Sequence, residues 1–174
     1  MVLYVLRHAE AVGAGDTLQD GWRYLTAKGR SSAEKVSLSI AESGPKPRLI
    51  ISSPLVRAVQ TAEIAAHNAC CKNEVVVSGL LLPGAGISDL VVHLKSCKDA
   101  KRVMLVGHEP QLGSLVTTLL GCMDGSISLK KGACVILRVY PDTDKPACFL
   151  AYLVPGKKRS KSLKKAFPQK PPYK

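Results

Sequence analysis

Short apolar runs alternate along the chain with longer segments whose apolar residues recur at helical spacing. Val2–Leu6 is a continuous apolar run and predicts a buried strand. Further strands are predicted at Leu49–Ile51, Glu74–Val77 and Arg102–Val106. The first predicted helix runs from the N-cap Thr26 to about Ser43, and the second has Ser53 as its N-cap and Pro54 as its first residue. Two more are predicted over Ile87–Cys97 and Glu109–Gly121. This alternation is typical of a parallel sheet with helices on both faces.

The C-terminal part of the chain predicts a β-hairpin. Its strands are Ala133–Tyr140 and Cys148–Val154, joined across a turn at Pro141-Asp142. A hairpin adds at least one antiparallel strand, so the sheet should be mixed. We therefore expect an α/β protein, a three-layer α/β/α sandwich around a mostly parallel mixed sheet.

Length and charge divide the chain in two. Its 174 residues suit one compact domain, and a hydrophobic share of 46% excludes a mainly disordered or fibrous chain. Lysine and arginine number 25 against 13 aspartate and glutamate, a net charge of +12. Eight of these basic residues, and no acidic one, lie in the last segment. We expect a domain at 1–156 and a basic C-terminal tail at 157–174.

The six cysteines bear on the cellular compartment. They are Cys70, Cys71, Cys97, Cys122, Cys134 and Cys148. An even number is compatible with a disulfide framework, but none has the C-x₂-C spacing of a zinc or redox motif. The first residues lack the basic start and long apolar core of a signal peptide. Reduced thiols in a cytoplasmic protein, without a membrane span, are therefore the expectation.

Polar residues follow three of the predicted strands. The first strand ends in Arg7-His8 and the fourth in Gly107-His108-Glu109. The second ends in Ser52-Ser53-Pro54 and delivers Arg57 in the first turn of a helix. Ligands of such sheets bind beyond the carboxyl ends of the strands. We therefore expect two histidines and two arginines to meet on one rim.

These residue types favour phosphate chemistry. Arginine presents forked donors that match phosphate oxygens, and a helix start offers free N–H groups to an anion. Nearby cations favour the neutral form of histidine, and neutral imidazole is a nucleophile toward phosphorus. A second imidazole can donate a hydrogen bond to the phosphoryl group. The set predicts phosphoryl transfer through a phosphohistidine on the enzyme.

Other interpretations of these residues stay open. Four side chains have metal-ligating chemistry, namely His8, Glu10, His108 and Glu109. The two rim arginines would then lie beside a dication, which is electrostatically unfavourable, so no metal or cofactor is predicted. Taken singly, each histidine also fits a strand-end structural role, and Arg57 fits a solvated helix residue.

Three stretches resemble the signature motifs of the histidine phosphatase superfamily, which has the phosphoglycerate-mutase-like fold. They are Leu3–Glu10, Ser52–Ala62 and Val106–Pro110, with Ala9 where the family usually has glycine. Trp22–Gly29 further resembles the small SixA-type branch, the phosphohistidine phosphatases, with Tyr24 in place of the usual proline. The resemblance spans about residues 1–155.

The resemblance implies a role for each matching residue. His8 is then the nucleophile that becomes transiently phosphorylated. The groups implied to hold the phosphoryl group are Arg7, Arg57 and His108. Arg23 is a further implied substrate contact, although a water-exposed loop residue fits equally well. We interpret Glu10 and Glu109 as structural or rim residues.

Two features bear on the substrate. Many relatives acting on phosphate monoesters carry a carboxylic acid after the third strand, whereas Leu80–Gly86 has none and Asp89 is the nearest. An alkoxide needs that proton more than imidazole does. The connection 78–86 is also too short for a lid. We expect the substrate to be a phosphohistidine-bearing protein, such as a histidine phosphotransfer domain or a sugar-transport phosphocarrier. The alternative is a phosphatase for small esters, with Asp89 or a glutamate as acid.

The basic tail permits a function of another class. Its lysines suit nucleic acid or an anionic membrane. Leu163, Ala166 and Phe167 have loose helical spacing, but the one aromatic residue of that stretch is a poor stacking platform. A solvated cationic extension, docked on the domain or on an acidic protein, is the simpler interpretation. Residues 169–174 should form no packed element, and the protein is expected to be a monomer.

Overall fold

The computed structural model of the chain describes residues 1–15, 18–68, 74–97, 99–123 and 125–168. These residues form the strands Val2–Arg7 (β1), Leu49–Ser52 (β2), Val75–Val77 (β3), Arg102–Gly107 (β4), Cys134–Arg138 (β5) and Cys148–Leu153 (β6). They form the α-helices Ala27–Glu42 (α1), Val56–Asn68 (α2), Ile87–Ser96 (α3), Gln111–Leu120 (α4) and Leu163–Ala166 (α5). Two 3₁₀ helices lie at Asp20–Trp22 and Gly79–Leu81.

The strands form one mixed sheet in the order β3-β2-β4-β1-β5-β6. The first four of these strands pair in parallel, and β5 runs antiparallel to both of its neighbours. The mostly parallel mixed sheet is therefore confirmed, and so is the C-terminal hairpin. Since β1, β2 and β4 are parallel neighbours, their carboxyl ends share one edge of the sheet.

Helices cover both faces of this sheet. Val36 and Ile40 of α1 and Ala58 and Ala62 of α2 pack in one buried cluster. The other cluster contains buried leucines from α3 and α4, including Leu90, Leu94, Leu112 and Leu115. The strands contribute to both clusters because successive side chains point to opposite faces. The expected three-layer α/β/α sandwich is confirmed.

The start of α2 differs from the prediction. Ser53 was expected to cap this helix and Pro54 to begin it, but α2 begins at Val56. The Ser53 hydroxyl lies 2.8 Å from Nε2 of His108, whereas its distance to the Leu55 amide is longer, at 3.4 Å. The prediction that Ser53 caps α2 was wrong because its side chain bonds the histidine that follows the neighbouring strand β4.

The first part of the basic tail packs on the domain. Ser160 pairs with Tyr152 of the edge strand β6 through two backbone hydrogen bonds of 2.8 and 3.0 Å. The Phe167 ring, just after α5, lies 4.6 Å from the Tyr152 ring. These contacts cover an otherwise unpaired strand edge. The domain boundary at residue 156 stays a prediction, and residues 169–174 lie outside the described part.

Two further observations concern the predicted compartment. Cys97, Cys122, Cys134 and Cys148 are free thiols, while Cys70 and Cys71 lie outside the described residues. Within the described part of the chain, no helix combines the length and apolarity needed to span a bilayer. The cytoplasmic location stays a prediction.

Candidate active site

A cavity of about 330 Å³ opens at the carboxyl edge of the parallel strands. Its lining residues are Arg7, His8, Asp20, Arg23, Arg57, Pro83, His108, Glu109 and Lys131. All five residues predicted from the sequence as catalytic or substrate-binding therefore meet here. Asp20, Pro83 and Lys131 were not predicted, and Glu109 was expected only as a structural or rim residue.

The end of β1 fixes the backbone and the ring of His8. The His8 amide donates to the Gly107 carbonyl at 3.0 Å, and the His8 carbonyl accepts from Gly132 at 3.1 Å. Nδ1 of the ring lies 2.7 Å from the Ala9 carbonyl oxygen. A carbonyl can only accept, so Nδ1 carries the proton and Nε2 keeps its lone pair. The neutral ring is therefore a potential nucleophile at Nε2.

Burial keeps His8 neutral. Loss of solvation is the main reason that its pKa falls from 6.5 to about 4, and the Arg57 and Arg7 guanidinium groups lower it further. The Ala9 hydrogen bond opposes this shift. The predicted neutral imidazole agrees with this direction, but the main cause is burial rather than the neighbouring cations.

His108 faces His8 from the end of β4. The two ring centroids are 5.0 Å apart, with an angle of 54° between the ring planes. Burial lowers the pKa of His108 to about 3. Repulsion between two protonated rings, and the charge of Arg57, lower it further. Its Nε2 lies 2.8 Å from the buried Ser53 hydroxyl, which orients the ring. The cavity thus holds two neutral imidazoles.

Arg7 is held by the loop that precedes β5 in the chain. Its Nη1 donates to the Leu129 carbonyl at 2.7 Å, and the Leu129 amide donates to Oε1 of Glu109 at 3.3 Å. Burial raises the pKa of Glu109, while the Leu129 amide and the Arg7 charge oppose that shift. Glu109 therefore lines the cavity and also supports the loop that orients Arg7.

Arg57 and Arg23 are joined by Asp20. Arg57 donates to the Asp20 backbone oxygen at 2.7 Å and to Oδ2 at 3.0 Å. Arg23 donates to Oδ1 at 2.9 Å and, through Nε, to the Val12 carbonyl at 2.8 Å. Arg23 is thus a cavity residue rather than a free loop side chain. The only sequence signal for Asp20 is its position three residues before Arg23.

Thr61 connects the first and second motifs. Its hydroxyl accepts from the Ala9 amide at 3.2 Å and donates to the Arg57 carbonyl at 2.7 Å. Both Thr61 and Ala9 are fully buried. One hydroxyl therefore fixes the backbone beside the nucleophilic histidine relative to the backbone of the buried arginine.

The loop between β3 and α3 forms one wall of the cavity. Gln111 donates to the carbonyl oxygens of Leu80 and Ala85 at 2.8 and 3.0 Å, which pins this loop. Pro83 of the same loop lines the cavity, whereas Asp89 is exposed and is not among the lining residues. Asp89 is therefore poorly placed to act as an acid here.

The lining favours an anion with several oxygens. Four cationic side chains face two carboxylates, and both carboxylates already bind neighbouring groups. Glu10 pairs instead with Lys28 at 3.2 Å. No three potential metal-ligating side chains gather anywhere among the described residues. Forked arginine donors around a neutral imidazole can bind a phosphoryl group and attack its phosphorus.

Comparison with known proteins agrees with this geometry. Residues 3–77 match the family model of the histidine phosphatase superfamily (branch 1). An uncharacterised protein of Picosynechococcus sp. (strain ATCC 27264 / PCC 7002 / PR-6) is 35% identical over 142 residues, covering 79% of this chain and 85% of that protein.

Solved structures share the fold at low sequence identity. The protein histidine phosphatase SixA complexed with tungstate superposes with a TM-score of 0.79 at 20% identity, covering 89% of this chain and 97% of that one. The α-ribazole phosphatase from Shigella flexneri gives a TM-score of 0.68 at 18% identity, covering 90% and 96%. Motifs, fold and relatives agree, and the chain belongs to the histidine phosphatase superfamily.

Proposed function

We propose that this protein is a phosphatase that hydrolyses phosphohistidine on other proteins through a transient phosphohistidine at His8. The observation that carries the proposal is the His8 ring, whose Nδ1 is hydrogen-bonded to a carbonyl and whose Nε2 is unprotonated. Arg7, Arg57 and His108 line the same cavity and would hold the phosphoryl oxygens. Arg23 would contribute a further contact.

The reaction would proceed in two displacements. In the first, Nε2 of His8 attacks phosphorus, the P–N bond of the substrate breaks, and the leaving imidazole takes a proton from solvent. In the second, water attacks phosphorus, the bond to His8 breaks, and inorganic phosphate leaves. The arginines stabilise the charge on the equatorial oxygens in both steps. Neutral His108 has one N–H group; with Nε2 accepting from the Ser53 hydroxyl, it would donate from Nδ1 to one of these oxygens.

Asp20, one of the two acids of the cavity, favours a phosphoramidate substrate. Asp20 accepts hydrogen bonds from Arg23 and Arg57, which lower its pKa and keep it ionised. It is therefore a poor acid for protonating an alkoxide. Imidazole leaves more readily and takes its proton from water, so phosphohistidine places a smaller demand on this site.

The fixed loop at the rim of the cavity, which is too short to form a lid, supports a protein as the substrate that carries the phosphoryl group. The Pro83 loop is fixed by Gln111 and forms the rim of an open cavity. A phosphorylated side chain of a histidine phosphotransfer domain or a phosphocarrier can enter from that side. The structural likeness to a protein histidine phosphatase is in line with this choice.

A competition between substrates tests the proposal. The protein should be assayed with a phosphohistidine-bearing phosphotransfer domain, a phosphocarrier and a panel of sugar phosphates. We expect a kcat/KM at least about a hundredfold higher for one of the phosphohistidine proteins, since an unassisted alkoxide departure costs general-acid catalysis of this order. Comparable turnover of the sugar phosphates would contradict it.

Glu109 favours one second candidate, a phosphatase for small phosphate monoesters. It lines the cavity, and burial raises its pKa, so it is a better proton donor than Asp20. A Glu109→Gln variant separates the two functions. Loss of ester hydrolysis, with phosphohistidine hydrolysis retained, would assign Glu109 as the acid of an ester reaction. Equal loss of both would indicate that Glu109 acts only by supporting the Leu129 loop.

A further inference from the structure

Asp20 contacts two cavity arginines through three of its oxygen atoms. Its backbone oxygen and Oδ2 accept from Arg57, and Oδ1 accepts from Arg23. Asp20 begins the short 3₁₀ helix Asp20–Trp22, and Arg23 follows directly after this helix. The carboxylate therefore lies between two guanidinium groups at the rim of the cavity.

The charges at this rim explain why such a bridge is needed. Arg57 is a nearly buried cation, with a side chain only 6% exposed, and an unpaired buried charge is strongly unfavourable. Arg7, Arg23 and Lys131 line the same cavity and repel it. Without a counter-charge, we expect Arg57 and Arg23 to turn apart toward water.

The bridge leaves donors free for a ligand. A guanidinium has five N–H groups, and Asp20 takes two from Arg57, one on each terminal nitrogen. We propose that Asp20 is a positioning residue, whose carboxylate sets the spacing of Arg57 and Arg23 so that their remaining N–H groups face the phosphoryl site. This inference rests on the proposed function in so far as that site binds a phosphoryl group.

The same contacts allow an opposite effect, in which Asp20 competes with the phosphoryl group for the arginines. Two observations argue against competition. Asp20 takes only two of the five N–H groups of Arg57, and it takes only one N–H group of Arg23, so donors remain on both side chains for phosphoryl oxygens. The two effects have opposite signs on anion affinity, which makes them separable.

Tungstate binding to the full-length protein, measured by calorimetry, tests the inference directly. Asp20→Ala should weaken tungstate binding on the order of tenfold, because charge-assisted hydrogen bonds that order both arginines are lost. Asp20→Asn should lie between, since it keeps one of the two side-chain oxygens that accept from the arginines and loses the negative charge. In an Arg57→Ala background, Asp20→Ala should add less than about twofold, since Asp20 then has only Arg23 to orient.

Controls separate positioning from folding and from catalysis. Asp142→Asn changes an exposed carboxylate in the β5–β6 connection, at the opposite edge of the sheet, and should leave tungstate affinity unchanged. Thermal unfolding of each variant reports stability. If Asp20→Ala is poorly folded, the Asp20→Asn value and its coupling to Arg57 decide the question.

Each outcome has a defined meaning. Equal or tighter tungstate binding by a folded Asp20 variant overturns the inference, as does an undiminished Asp20→Ala effect without Arg57. Wild-type protein that fails to bind tungstate overturns both this inference and the proposed function. Normal tungstate binding, with the expected Asp20 effect but without phosphohistidine turnover, contradicts the proposed function only.

Discussion

The centroids of the His8 and His108 imidazole rings lie 5.0 Å apart, although the two residues are 100 positions apart in the chain. Their proximity follows from the parallel register of β1 and β4, in which Arg7 is paired with Gly107. Each histidine is the residue after its strand, so the two rings emerge side by side at one edge. Burial in that position keeps both rings neutral.

The pKa of His8 predicts an extended acid range for activity. Protonation removes the Nε2 lone pair, so activity is lost as the pH falls through the pKa of about 4 rather than through 6.5. We expect kcat/KM to stay level from pH 7 to about 5 and to fall below that. The pH profile of kcat/KM checks this prediction. It has to be corrected for the ionisation of the substrate itself, which NMR measures separately. An acid limb centred near 6.5 would contradict the buried neutral ring.

The same shifts predict how stability depends on pH. Both histidines have folded-state pKa values below 6.5, so below that pH the unfolded chain binds more protons and the free energy of unfolding decreases with acidification toward pH 4. The slope reaches about 1.4 kcal/mol per pH unit for each histidine. Denaturant unfolding at a series of pH values should show a flatter dependence for His8→Asn and for His108→Asn.

The control for that experiment is His67→Asn, which alters an exposed histidine near the end of α2. It should keep the wild-type pH dependence. Equal flattening in this variant would show that burial of the two cavity histidines is not the source of the acid sensitivity.

Gly29 gives a physical reason for one of the motif positions. It lies in the first turn of α1, where a β-carbon would overlap the carbonyl oxygen of Glu10. That oxygen accepts from the Thr26 amide at 3.0 Å, so it cannot move freely. Gly29→Ala should destabilise the protein by roughly 1–3 kcal/mol, despite the higher helix propensity of alanine. Chemical denaturation measures this change.

Gly13→Ala is the matched substitution, because no atom beyond the adjacent residues lies within 4 Å of a β-carbon at that position. Its free energy of unfolding should change by less than about 0.5 kcal/mol. If both variants unfold at the wild-type denaturant concentration, the result would contradict the close contact between Gly29 of α1 and the chain segment that follows β1.

The sequence predicted which residues lie at the rim of the cavity, because the end of a strand is recognised as an apolar run followed by polar residues. His8, His108 and Arg57 all follow such runs, so parallel pairing alone brings them together. Asp20 was missed because it lies in a loop without periodicity, where only a contact with the distant Arg57 gives it a role. Ser53 was assigned to the wrong partner for the same reason, since its bond to His108 joins two separate strands.

The tail shows which features of an extension its charge predicts. Its lysines indicated a solvated extension docked on the domain or on an acidic protein. Ser160 and Phe167 attach its first part to β6 through one backbone pair and one ring contact, which agrees with docking on the domain. Attachment depends on a free strand edge, which the sequence alone does not reveal.

Phe167 should therefore contribute to stability. Its ring packs on Tyr152, whose hydroxyl accepts from the Lys130 amide next to the cavity residue Lys131. Phe167→Ala should lower the free energy of unfolding by about 1–2 kcal/mol, less than a fully buried phenylalanine because the site is half-exposed. Lys164→Ala, an exposed change on the same short helix, should change it by less than about 0.5 kcal/mol. Equal stability of the two variants would mean that the tail is not held by this contact.

The central claim is that His8 carries the phosphoryl group, and rapid-quench labelling tests it most directly. The protein is mixed with a ³²P-phosphohistidine substrate protein, quenched in base within milliseconds, and digested for peptide mapping. We predict a base-stable, acid-labile label on the peptide containing His8, absent from His8→Ala and present in His67→Ala. A label on another residue, or one that persists in His8→Ala, would contradict the account.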